Sequence, residues 1–259
     1  VVQRLRPPHS VRLVSRHPNP LESLAPRDPK MPETIAGFEV RGKLCDLTKG
    51  AMIWVAEERN LGRRILIWLR LASTIPDHAG PIPVRQTRLR VVSSGVLFWE
   101  GREYDWLAFI APTGAPLSDI ADSRGLFEWA DARRVLEQVV EELYLAQVEG
   151  KVPSQLSINH LWVEPSGRVH LMEFPVPSSV PTRHPAVSDP ILFVRQIATL
   201  LLEGTARWTG GPVRAPLPPH AIDLCATLFK DGEPLEKLHR DLVQSQIHPP
   251  RVTTSMRAA

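Results

Sequence analysis

Arg168-Val169-His170-Leu171-Met172-Glu173-Phe174-Pro175 is the stretch whose reading decides the fold. Val169-His170-Leu171-Met172 predicts a strand, and Leu161-Trp162-Val163 predicts its partner. Pro165-Ser166-Gly167 supplies the turn between them, so the two runs make a β-ribbon. The ribbon delivers Glu173, followed by Phe174 and Pro175. Glu-Phe-Pro ends many ordinary strands, so the weight falls on what lies around it.

Downstream, Ile191 to Leu202 is largely apolar, broken only by Arg195 and Gln196. Asp189-Pro190 before it and Gly204 after it are start and stop signals for a helix, and one apolar on most sides belongs inside a core. Two further helices fit Ala221 to Phe229 and Leu235 to Gln244. Upstream, Phe127 to Val148 predicts a long amphipathic helix, with Leu136, Val140 and Leu143 on one line and Glu149-Gly150 closing it. Its acid pair Glu141-Glu142 reads as a solvated face.

From Ile35 the pattern is strand-like. Phe38 to Leu44, Met52 to Ala56, Arg64 to Leu69, Val91 to Trp99 and Tyr104 to Ile110 predict about five antiparallel strands. Asn60-Leu61-Gly62 and Glu100-Gly101-Arg102 supply turns. Trp54, Trp99, Trp106 and Trp162 read as core or half-buried strand residues. Prolines crowd residues 1–32 among arginines, which predicts a disordered basic leader; residues 249–259 predict a flexible tail. The leader either touches an acidic partner or a membrane surface, or precedes a true start at Met31.

Composition narrows the function classes. The chain has 259 residues, 43% of them hydrophobic, enough for two small lobes with real cores. Net charge is +3, but the basic excess sits in the leader, which argues against a nucleic-acid partner. Two cysteines, Cys45 and Cys225, are too few for a disulfide framework, and no Cys/His spacing suggests zinc. No apolar run reaches the ~18 residues of a membrane span, so a cytoplasmic location is expected. No nucleophile elbow or triad spacing is present.

Five strands, a long helix, a ribbon ending in an acidic-Phe turn, then a buried Asp-capped helix: this succession resembles the protein-kinase fold of bacterial serine/threonine kinases of the eukaryotic type. The likeness covers Ile35 to Val243. It implies an α+β, two-lobe architecture, with a small antiparallel sheet lobe over 33–113 and a mainly helical lobe over 114–248. It further implies that Glu173 replaces the metal-binding Asp of Asp-Phe-Gly, and Pro175 its Gly.

Carried over position by position, the resemblance implies lost chemistry. The glycine-rich phosphate loop corresponds to Leu44 to Ala51, which keeps only Gly50. The phosphate-binding lysine of the third strand corresponds to Trp68, an indole that cannot neutralise phosphate but could fill the cavity. Its partner helix is shortened or absent, since Pro76, Pro81, Pro83 and Gly80 fall between Leu71 and Val91. The catalytic loop corresponds to Pro153 to His160. Gln155 stands at the base Asp and is far less basic; His160 stands at the second metal ligand, with Asn159 one place early. Glu173 would move its charge by about 1.5 Å, one carbon–carbon bond. The segment from Pro175 to Asp189 is short, with no Ala-Pro-Glu, and no Arg follows Lys230 in the 230–235 stretch to pair with one. Asp189 matches the buried-helix Asp that braces the catalytic loop, a structural role.

No residue is therefore assigned a catalytic role. The resemblance implies a pseudokinase that binds another protein, with no cofactor. The alternative is a divergent ATP- and magnesium-dependent kinase using Glu173. A structural fusion module needing no ligand is a third possibility.

Overall fold

The computed structural model describes residue 21 and residues 31–72, 84–178, 185–207 and 209–247. Most of the expected leader and all of the expected tail lie outside them, as does much of the stretch where the missing helix was expected. The architecture is α+β: a six-stranded antiparallel sheet, followed by helices and a small three-stranded sheet.

Strands β1 (Thr34–Ile35), β2 (Phe38–Asp46), β3 (Met52–Glu58), β4 (Arg63–Leu71), β5 (Val91–Trp99) and β6 (Arg102–Ile110) lie in the order β1-β2-β3-β4-β6-β5. The predicted hairpin link is a two-residue turn in which Glu100 and Gly101 both have positive φ, 48° and 74°. That is the backbone twist a tight hairpin needs. The sixth strand, β1, is too short for any alternation to reveal.

Both faces of the sheet carry buried side chains. One carries Trp54, Ile65, Ile67, Tyr104, Trp106 and Ala108, with Met31 and Phe38 packed among them. Trp54 on β3 meets Trp99 on β5 edge to face, ring centroids 5.1 Å apart. Those strands are three positions apart, ~14 Å in a flat sheet at ~4.8 Å per strand, so the sheet curls around these rings. The opposite face presents Ile53, Val55, Leu66 and Phe109 to Trp162, Met172, Phe174 and Val176 from the C-terminal half. Leu21 is buried in that same cluster, so with Met31 on the other face two residues of the expected leader belong to the core.

The C-terminal half comprises β7 (Ala115–Pro116), α1 (Leu117–Arg124), α2 (Trp129–Val148), β8 (Leu161–Val163), β9 (Val169–Leu171), α3 (Pro190–Glu203), α4 (Pro219–Leu228) and α5 (Leu235–Ile247). Its core joins Leu136, Val140 and Leu143 of α2 to Phe193, Ile197 and Leu201 of α3. The α3 caps follow the predicted signals: the Asp189 carboxylate accepts from Ile191 N at 2.8 Å, and Gly204 turns left-handed at φ 74°. Neither β7 nor α1 was expected. β7 reaches β8 because residue 114 is glycine, at φ +98°; a Cβ there would lie 2.1 Å from the Val163 carbonyl oxygen. Among the described residues no helix is long and apolar enough to cross a membrane.

Candidate functional site

The site residues named from sequence gather, in part, along the seam between the sheet and the C-terminal half. Three backbone bonds assemble it: Met172 N donates to His160 O (2.7 Å), Val176 N to Asn159 O (2.9 Å) and Leu171 N to Thr87 O (2.8 Å). The 157–160 loop, the Glu173 turn and the 84–90 segment therefore lie side by side. Trp68 reaches the same place from β4, its ring 5.5 Å from that of Phe174.

Ser157 holds the loop in shape. Its hydroxyl accepts from Asn159 N at 3.2 Å, and its own N–H donates to His160 Nδ1 at 3.2 Å. His160 Nδ1 also lies 3.3 Å from Ser157 O and 3.2 Å from its hydroxyl, so Ser157 holds this ring nitrogen by backbone and side chain together. Burial holds His160 down at about 4; the Ser157 contact opposes the shift, and the nearby Arg88 charge adds to it. Gln155 is exposed, and the loop is tied below it by the antiparallel Leu156–Val187 bridge. Asp189 is exposed, with its carboxylate on the α3 cap. Gly50 sits in the β2–β3 turn at φ +71°, packed on Leu71; a Cβ there would crowd that side chain.

The Glu173 carboxylate faces a cation from the chain itself. Arg88 Nη1 donates to Glu173 Oε1 at 2.8 Å, while Arg88 Nε donates to Glu142 Oε1 at 2.6 Å. Arg85 Nη1 reaches the same Glu142 oxygen at 2.6 Å and also contacts Glu149; the Thr87 hydroxyl donates to Glu142 Oε2. Arg88 and Glu142 have side chains only 3% and 1% exposed. This corrects the expectation of a solvated acid pair. Glu141 is exposed, but Glu142 is turned into the seam, where burying its charge requires the two guanidinium partners.

Around this cluster the seam is apolar. Trp68, Phe174, Phe109, Leu66 and Met172 fill the space between the halves, and the Arg70 guanidinium lies 4.6 Å over the Trp68 ring. At this set of groups Arg88 already pairs with Glu173, and the Trp68 indole packs on Phe174. Among the described residues no three His, Cys, Asp or Glu side chains form a cluster fit for a metal.

Arg85, Thr87, Arg88 and Glu142 are the residues that sequence reasoning missed. The one available signal was three arginines, Arg85, Arg88 and Arg90, around Thr87 in an 84–90 segment with no acid. Buried Arg195 was also unassigned: Nε donates to Leu228 O, Nη2 to Lys230 O and Nη1 to Asp231. It fixes the α4–α5 connection to α3. No family model matches this chain, and no curated protein matches it either.

Proposed function

We propose that the chain is a pseudokinase, a protein-kinase-like two-lobe domain that works as a regulatory or protein-interaction module and does not transfer phosphate. The succession of elements supports the kinase-like part: a curled sheet, a long helix, the 157–160 loop, a ribbon ending in Glu173-Phe174, and an Asp189-capped buried helix. The observation that carries the loss of catalysis is the Arg88–Glu173 pair at 2.8 Å. A kinase needs that acidic side chain for a metal bridging the phosphates; here a buried arginine takes the place of the ion. Filling of the seam by Trp68 and Phe174 agrees with it.

Thermal unfolding with magnesium and ATP tests this reading. The midpoint is expected to stay where it is without nucleotide. A stabilising shift that needs magnesium and vanishes in Glu173→Ala would establish the divergent kinase instead.

A further inference from the structure

Among the described residues, the last strand of the six-stranded sheet leaves one edge open: β5 is terminal in the order and pairs with β6 alone. It is nine residues long, Val91-Val92-Ser93-Ser94-Gly95-Val96-Leu97-Phe98-Trp99, with no charge and no proline. Ser94, Gly95, Val96 and Phe98 are exposed, Val96 and Phe98 by 60% and 74%. These two apolar side chains stand two residues apart, so they share one face. Leu97 and Trp99 point the other way and pack on the tryptophan cluster.

The opposite edge is defended. β1 is two residues long, and the strand behind it carries Arg41, Lys43 and Asp46. Arg41 bonds Glu39 and Glu57, and Lys43 bonds Asp46 at 2.8 Å. Charges and short strands prevent further pairing, whereas a long, neutral, apolar edge is a template for another strand. Among the described residues, one molecule thus blocks one edge and leaves the other open.

We infer that β5 pairs antiparallel with β5 of a second copy of this chain, about a two-fold axis at Leu97. That register sets Val96 of each copy against Phe98 of the other, joining the exposed apolar pairs into one patch. Glu100 then faces Ser94, so no like charges meet across the axis. A strand carrying even one central charge would face its own copy's charge or bury it. The absence of any charge over Gly95–Trp99, the stretch that faces itself in this register, suits self-pairing. In this register Gly95–Trp99, five residues of each strand, pair with their counterparts, which covers less than the ~800 Å² per partner of a standard interface, so the dimer is weak and dissociates on dilution.

Sedimentation of the full chain over a dilution series up to roughly 0.5 mM, where interfaces below standard size still associate, is the first test. A dimer that grows with concentration is expected. Val96→Lys should abolish it, while Ser94→Lys, placed opposite Glu100, should retain it. Both sites are exposed, so circular dichroism should show both variants folded. Mixing V96C with F98C chains under mild oxidation should give cross-linked dimers at least tenfold faster than either alone. The native thiols are slow to compete, with Cys45 pushed up to about 11 and Cys225 to about 12 by burial. A monomer at every concentration would overturn the inference. So would a dimer that survives Val96→Lys, or V96C linking to itself as fast as to F98C.

Discussion

Replacing Arg88 by methionine should destabilise the protein by about 3 kcal/mol. Removing one member of a buried pair costs about 3–5 kcal/mol, because the other is left uncompensated. Two features place this case at the low end. Glu142 would keep Arg85 at 2.6 Å and the Thr87 hydroxyl, and Glu173, about one-fifth exposed, can turn to water. Urea unfolding followed by tryptophan fluorescence gives the free energy directly. In a heat scan, the loss should lower the midpoint by roughly 6–12 °C, given ~2–4 °C per kcal/mol at this size. Adding Glu142→Leu to Arg88→Met should cost less than the sum of the two single changes, by roughly 1 kcal/mol or more, since both act on one cluster. A cost under about 1 kcal/mol for Arg88→Met, the worth of an exposed pair, would refute the view that Arg88 is the counter-ion of the seam.

Three other outcomes follow from particular side chains. Gly114→Ala puts a Cβ against the Val163 carbonyl at an unfavourable φ, and should cost about 3 kcal/mol or more; a urea midpoint close to wild type would contradict it. Trp68→Ala removes a half-buried ring packed on Phe174 and should cost about 2 kcal/mol, below the ~3–5 of a fully buried aromatic; calorimetry reads it. His160 titrates at about 4 when folded and near 6.5 when unfolded. Between those values the unfolded chain binds a proton that the folded chain does not. Stability should therefore fall as pH drops from about 6.5 to about 4, by at most about 3 kcal/mol, and this contribution should flatten below that. His160→Gln should remove that slope, as urea unfolding across pH will show.

How much of this could be read in advance depended on the range of the interaction involved. Strands β2 to β6 and helices α2 to α5 declare themselves in local period and caps, as Asp189-Pro190 and Gly204 do for α3. β1 and β7, two residues each, carry no period; β7 depends on Gly114 passing close to Val163, a contact between segments about fifty residues apart. The seam shows the same division. Glu173 stands out through its turn, but Arg88, 85 residues earlier, is an ordinary basic residue in a loop until the fold sets it beside two carboxylates. Glu142 misled because its neighbour Glu141 does point to solvent, and one helical step of 100° separates an exposed acid from a buried one.

The apolar cluster shared by the sheet and the C-terminal half also governs how the molecule can move. Prising the halves apart would wet Ile53, Leu66, Phe109, Trp162, Met172 and Phe174, all nearly fully enclosed. At about 2 kcal/mol each, that approaches the ~5–15 kcal/mol that holds a whole domain folded. Breathing between the halves is thus as costly as melting, and amide exchange at β4 and β9 should report one common opening event.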